Sequence, residues 1–181
     1  ICEQDHIGCF TSINPTAQTS VLIMPQEQRF QILFKQGAAY MTGSGTVPGN
    51  HDFTGFIPSQ GSTASTLGHL SINHENNPGG VSIVDLSLNS DVNNPLWNVN
   101  NTRKVDFSSS QLVKTERNCS GGVTPWGTII TAEESTTAGD SNSDGYDDVG
   151  WLVEIDPVTA SVVNYGNAPQ EKLWAMGRMN H

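Results

Sequence analysis

Residues 150–157, GWLVEIDP, and residues 161–165, SVVNY, are the part of the sequence that decides the fold class. Both runs are short and rich in β-branched and aromatic residues, which is the composition of strands. The Asp156-Pro157 pair between them predicts a turn that reverses the chain. Together they predict a β-hairpin of the kind that recurs in the blades of β-propellers.

Similar short apolar runs bounded by turn residues recur along the chain, at residues 29–35, 69–73, 80–86 and 127–131. Residues 1–20 are polar and irregular, and the glycines and prolines of residues 41–58 predict a loop. Only residues 111–116 and 170–177 are compatible with short helical turns. The pattern predicts an all-β protein. A sandwich fits it nearly as well as a propeller, because no internal repeat is visible.

The amino-acid composition excludes some classes of function. Eighteen acidic residues against 8 basic ones give a formal net charge of −10, so the basic footprint of a nucleic-acid-binding protein is missing. No stretch approaches the roughly 20 apolar residues of a membrane-spanning helix. The acidity is compatible with a solvated surface or with carboxylates gathered around divalent cations.

The sequence contains three cysteines, Cys2, Cys9 and Cys119. Cys2 and Cys9 are close enough in sequence to form a small disulfide loop in an oxidising compartment. Cys119 is then left over and needs its own explanation. The sequence starts at Ile1 and shows no signal peptide, so we expect a processed or truncated chain.

The segment around Cys119 carries the strongest chemical signal. Residues 117–127, RNCSGGVTPWG, place two glycines after the cysteine, and the strand that follows ends in Glu133 and Glu134. A thiolate near carboxylates suits a transition metal such as iron or zinc together with hard cations such as calcium. The alternative is a buried packing thiol and two solvated glutamates.

A second candidate site ends a predicted strand at residues 71–76, SINHEN. Alternation along a strand places Asn73 and Glu75 on one face and His74 on the other. Asn73 and Glu75 are therefore candidate metal ligands. An ordinary polar strand end is the alternative.

A third candidate site, residues 140–148, has oxygen donors at alternate positions followed by a glycine, like the first half of a calcium-binding loop. Trp151 stands where an EF-hand has its closing glutamate, so a structural calcium loop is predicted rather than an EF-hand. A flexible acidic turn is the alternative. The predicted ligands are Asp140, Asn142, Asp144, the Tyr146 carbonyl and Asp148.

Taken together, these segments resemble the PhoX-type alkaline phosphatase family of exported proteins. The resemblance extends over most of the chain in the family's order, and the stretch from Cys119 to the paired glutamates is its most specific part. It is carried by residues 29–37, 52–58, 73–75, 79–82, 117–134, 150–157 and 177–181.

The resemblance implies a β-propeller whose central site holds two irons and several calcium ions. Cys119 would bridge the irons as the catalytic-centre residue, Glu134 or its neighbour Glu133 would hold metal, and Asn73 would be a calcium ligand. Residues 138–149 would be an insertion that carries the calcium loop.

In that view residues 1–181 are the N-terminal portion of one propeller domain and form an incomplete ring, which the rest of the propeller or another chain would complete. The implied activity is metal-dependent hydrolysis of phosphomonoesters, with none expected from these residues alone. The alternative is a non-catalytic, calcium-stabilised extracellular propeller with a structural or assembly role. Either protein would be periplasmic, attached to the cell surface or extracellular.

Overall fold

A computed structural model describes residues 9–14, 20–59, 65–108, 110, 112–136 and 139–164. The chain divides into two compact units, Ile1–Ile32 and Leu33–His181. In the described part of the first unit, the Thr11 hydroxyl donates a hydrogen bond of 3.1 Å to the Glu27 carboxylate. All the strands belong to the second unit.

The strands form two four-stranded antiparallel sheets, each a meander in which neighbours in sequence are neighbours in the sheet. The first sheet contains β1 (His51–Pro58), β2 (Leu67–His74), β3 (Gly80–Leu88) and β4 (Trp97–Lys104). The second contains β5 (Asn118–Val123), β6 (Ile129–Glu133), β7 (Leu152–Asp156) and β8 (Ser161–Val162). The described residues include no helix long and apolar enough to cross a membrane.

The all-β prediction is confirmed, and so is the hairpin at residues 150–165 within its described part. Strands β7 and β8 are antiparallel, with Asp156 opposite Ser161. The Asp156 carboxylate also accepts the N–H of Val158 at 2.8 Å, as an aspartate at the start of a turn often does. No closed ring of sheets is present among the described residues, so the propeller stays a prediction.

Other sequence-based predictions were wrong. Residues 29–35 form no strand: the side chains of Phe30 and Ile32 are 60% and 70% exposed, although Leu33 and Phe34 pack against an apolar cluster of the first sheet. The predicted loop at residues 41–58 ends in strand β1. Residues 112–116 contain no helical turn, and residues 170–177 lie outside the described residues.

Glycine explains why β5 and β1 were hard to predict. A Cβ atom on Gly121 would lie 2.5 Å from the Ile130 carbonyl oxygen and 2.7 Å from the Phe53 ring, and one on Gly55 would lie 3.0 Å from Val123. These glycines are turn signals in a sequence but here allow β5 to lie close to β1. The metal-site candidate Cys119 thereby comes near the start of β1.

The two sheets share one apolar core. Its fully buried members include residues of β3 (Val81, Ile83), β6 (Ile129) and β7 (Val153, Ile155), together with Leu112 from the segment before β5. The second link between the sheets is polar. Arg103 of β4 forms an ion pair with Asp85 and donates hydrogen bonds of 2.8 and 3.1 Å to the carbonyls of Pro157 and Val158 in the β7–β8 turn.

The close packing of β5 predicts different effects for two neighbouring glycines. We expect Gly121→Ala to destabilise the fold by about 1–3 kcal/mol, because the added methyl group would overlap backbone. Gly122→Ala is the matched control, since a Cβ atom at that position would meet nothing within 4 Å, and it should unfold like the unsubstituted chain. Urea denaturation measures both, and equal midpoints would contradict the packing described here.

Candidate metal centre

The first two strands bring two carboxylates to the same end of the first sheet. His51 of β1 pairs with His74 of β2, and because the strands are antiparallel Asp52 and Glu75 lie on either side of this pair rather than opposite each other. The register of β1 is irregular between His51 and Thr54, and carboxylate oxygens of Asp52 and Glu75 lie within 4.8 Å of each other there. Asn50 fastens this end, because its carbonyl accepts the Glu75 N–H at 2.9 Å and its side-chain amide donates to the Glu75 carbonyl at 3.2 Å. The position of Glu75 thus follows from its pairing with Asn50, whereas Asp52 lies in the irregular stretch of β1.

Strand β5 adds Cys119 to this end. The side-chain amide of Asn73, at the end of β2, donates to the backbone carbonyls of Cys119 and Ser120 at 3.1 and 2.9 Å. Cys119 is a free, partly exposed thiol. Its Sγ atom and one carboxylate oxygen each from Asp52 and Glu75 all lie within 4.8 Å of one another, and no other such group occurs in the described part of the chain.

Arg117 connects Glu134 to this group. Its guanidinium lies 3.2 Å from the Glu75 carboxylate and 3.0 Å from that of Glu134, and its carbonyl accepts the Glu134 N–H at 2.9 Å. The Arg117 side chain is half-exposed, so these ion pairs are screened by water and position the carboxylates more than they stabilise the fold. Arg117 pairs with two carboxylates, and Asp52 beside Cys119 adds a third, which leaves an excess of negative charge.

The donor set fits a bound metal. Oδ1 of the fully buried Asn73 and Oε2 of Glu134 are buried atoms without a hydrogen-bond partner, although the Glu134 oxygen is in ion-pair contact with Arg117. Buried acceptors of this kind are costly unless a donor or a cation satisfies them. Sulfur and oxygen ligands together suit a transition metal and a hard cation.

The surroundings of Cys119 oppose ionisation of its thiol while no cation is bound. A hydrogen bond with the Asp52 carboxylate raises the pKa of Cys119 to about 11, and burial and the charges of Asp52, Glu75 and Glu134 act in the same direction. A thiol must lose its proton to bind a metal. Binding of a metal by this thiol would therefore release a proton.

Glu133, the neighbour of Glu134, does not belong to this group. It is 1% exposed, and its carboxylate accepts three backbone N–H groups, from Glu116 at 2.6 Å, Gly150 at 2.8 Å and Trp151 at 3.0 Å. Burial raises the pKa of Glu133 to about 7, and the backbone donors act against that shift. Glu133 thus binds the protein's own backbone.

His74 also lies outside the ligand group and has a structural role, because its side chain is on the face opposite to Asn73 and Glu75. It is buried, its Nδ1 donates to the Gly49 carbonyl at 3.3 Å, and its Nε2 accepts from the Ser82 hydroxyl at 2.6 Å. Burial, with a smaller contribution from His51, lowers the pKa of His74 to about 4. The ring is therefore neutral at physiological pH.

The structure brings together Cys119 and Glu75 of the sequence-predicted ligands, with Asn73 and Glu134 beside them. The predicted ligands of residues 140–148 form a separate loop before β7. Sequence reasoning missed Asp52, because residues 41–58 were interpreted as a loop. The regular β1–β2 register would not have found it, because that register places Glu75 opposite Asn50 and Asp52 lies in the irregular stretch between His51 and Thr54.

Comparison with known proteins gives one match. The family model described as alkaline phosphatase PhoX matches residues 90–181, which include Cys119, Arg117 and Glu134 but not Asp52 or Glu75. No curated protein and no solved structure matches the chain. The matched region is narrower than the resemblance in the sequence implied.

We expect substitutions of the two neighbouring glutamates to differ in their effect on stability. Glu133→Ala leaves three buried N–H groups without an acceptor, and at about 1–3 kcal/mol for each group we expect a loss of several kcal/mol of unfolding free energy. Glu134→Ala, the matched control, removes only a water-screened ion pair and should cost about 1 kcal/mol or less. Urea denaturation measures both; a similar loss in the two variants would refute the separate roles.

Because carboxylates surround Cys119, we expect its thiol to be alkylated slowly in chelator-treated protein. Since the pKa rises from 9.0 to about 11, the thiolate fraction at pH 8 should be about 100-fold below that of an ordinary cysteine. Iodoacetamide should therefore alkylate Cys119 slowly, and faster as the pH approaches 11. Asp52→Asn should lower the pKa and speed the reaction, with Cys119→Ala as the blank. An unchanged rate in Asp52→Asn would contradict the hydrogen bond.

Proposed function

The chain belongs to the alkaline phosphatase PhoX family, and from that membership we propose that it supplies a metal centre for the hydrolysis of phosphomonoesters. The observation that supports this most is the convergence of Asp52, Glu75 and Cys119 within 4.8 Å. These residues come from three separate segments, and two of them lie outside the family match. The geometry therefore adds two carboxylates from outside the family match to Cys119, which lies inside it.

The chemistry of the donors suggests how metals would be distributed. Cys119 would bind a transition metal, for which we propose iron, because thiolate sulfur is a soft ligand. Glu75, Glu134 and the Asn73 amide oxygen would bind calcium, which prefers oxygen. When bound, these cations would polarise the phosphoryl oxygens and neutralise charge that develops during transfer.

The chain's own residues prepare the centre for that chemistry. The Asp52 carboxylate hydrogen-bonds the Cys119 thiol and is placed to take its proton on ligand binding. Arg117 pairs with both Glu75 and Glu134 through one guanidinium nitrogen, and its half-exposed side chain is available to a phosphate from solvent. The Asn73 amide hydrogen-bonds two carbonyls of β5, and this fixes the position of the Cys119 backbone relative to β2.

The architecture and the compartment are part of the same proposal. We propose a β-propeller for the whole protein, because its blades are four-stranded antiparallel meanders and this chain contains two such sheets on a common core. Cys9 is disulfide-bonded, while Cys2 lies outside the described residues. A disulfide supports an exported protein, because such bonds persist in oxidising compartments.

A non-catalytic, calcium-stabilised extracellular protein is the second candidate. The observation that favours it is the acidic loop at residues 140–148, which contains the buried Asp148 and lies apart from the ligand group of Cys119. Metal content separates the two functions. Iron together with calcium supports the enzyme, and calcium alone supports the structural protein.

The metal centre predicts the effect of removing the thiol. Protein produced with iron and calcium is analysed by mass spectrometry of its metals and assayed with p-nitrophenyl phosphate. We expect Cys119→Ala to lower bound transition metal about tenfold or more and to abolish any hydrolysis. Ser120→Ala, the exposed neighbour, is the control and should behave like the unsubstituted chain. Normal metal content and hydrolysis in Cys119→Ala would refute the proposed role of the thiol.

A further inference from the structure

The loop before β7 contains a second set of oxygen donors, separate from the Cys119 group. Residues 140–148, DSNSDGYDD, carry side-chain oxygens at alternate positions, a glycine at 145 and a final aspartate. The loop is closed at its ends, because the Asp148 N–H donates to the Gly139 carbonyl at 3.0 Å. A closed loop keeps its side chains together even though most of them are exposed.

The first half of the loop is already folded around its own carboxylates. The two oxygens of Asp140 accept the N–H groups of Asp144 at 3.0 Å and Gly145 at 2.8 Å. One oxygen of Asp144 accepts the Tyr146 N–H at 3.0 Å. Gly145 has a φ of +88°, a backbone conformation that favours glycine. These bonds shape the loop but do not by themselves indicate a ligand.

Asp148 supplies the observation that does indicate one. The residue is only 3% exposed, and its Oδ2 atom accepts the Ser141 N–H at 3.1 Å, so the carboxylate faces the start of the loop. Its Oδ1 atom is buried and has no hydrogen-bond partner. The nearby Lys114 ammonium forms its ion pair with Glu116 at 2.8 Å. A buried carboxylate oxygen without a donor is costly, and a cation in the loop would satisfy it.

We propose that residues 140–148 form a structural calcium site, separate from the metal centre at Cys119. Its ligands are the side chains of Asp140, Asn142, Asp144 and Asp148 and the carbonyl of Tyr146. All the donors are oxygens on a pliable loop, which suits calcium better than magnesium, whose octahedral geometry is strict, and better than metals that prefer sulfur or nitrogen.

The site would act on stability through the residues that follow it. Trp151 is buried, its indole N–H donates to the Asp147 carbonyl at 2.8 Å, and its ring meets Tyr146 edge-on at 6.3 Å. Trp151 also belongs to the core that the two sheets share. A cation that fixes the loop therefore fixes the start of β7, and tryptophan fluorescence should report its binding.

Calcium titration followed by fluorescence and thermal unfolding tests the site. The measurements use the full chain with Cys119→Ala and Glu75→Gln, so that failure of the metal centre does not affect the result. We expect 5 mM calcium to raise Tm by about 3 °C or more, and equal magnesium to have a much smaller effect. Asp148→Asn should weaken calcium affinity about tenfold or more, whereas the charge-matched Asp147→Asn should change it less than about threefold.

Two results would overturn the proposal: no effect of calcium on the chain with an unaltered loop, or equal affinities in Asp148→Asn and Asp147→Asn. Should Asp148→Asn fail to fold, Asp144→Asn takes its place, since Asp144 is exposed and lies outside the core. Loss of calcium affinity in that variant supports the site, and full affinity overturns it.

Discussion

The second sheet and the candidate metal centre both depend on the hydrogen bonds that the Glu133 carboxylate accepts. It accepts backbone N–H groups from two segments that are distant in sequence, at Glu116 before β5 and at Gly150 and Trp151 before β7. A buried acceptor shared in this way fixes both segments to the end of β6. Arg117 and Cys119 follow directly after the first segment. The hydrogen bonds of Glu133 therefore help to fix the position of the Cys119 thiol relative to β1 and β2.

The same arrangement creates an electrostatic cost at the opposite face of β6. The Glu134 side chain points towards Arg117 and Glu75, whereas that of Glu133 points into the protein. The two adjacent glutamates therefore have different roles. Around Cys119 the carboxylates outnumber the cationic side chains, and the raised thiol pKa is one consequence of that field. Self-repulsion of this kind is unfavourable for the fold unless a cation neutralises it, which links stability to metal binding at this end of the sheets.

The sequence allowed the β7–β8 hairpin, β3 and most of β2 to be predicted, because each is a short β-branched run between turn residues. It concealed β5 and β1, since Gly121 and Gly55 are needed for close approach of backbones and look like turn residues in isolation. Residues 29–35 show the reverse error, because strand composition cannot form a strand without a partner. At the site, the choice between Glu133 and Glu134 required knowledge of which face of β6 is covered, and the position of Asp52 depends on the irregularity of β1 between His51 and Thr54.

The two groups of candidate ligands, at Cys119 and at residues 140–148, require different features of the sequence. The Cys119 group is assembled from three segments, and its geometry depends on register, on two close-packed glycines and on the Glu133 network, so a change far from the ligands can disturb it. The loop at residues 140–148 takes all its donors from one local stretch, and it needs only a glycine at 145 and the burial of Asp148. A local site of this kind can be gained without altering the core, whereas the assembled centre requires the fold. This difference is why Cys119, rather than the acidic loop, carries the argument for the family's chemistry.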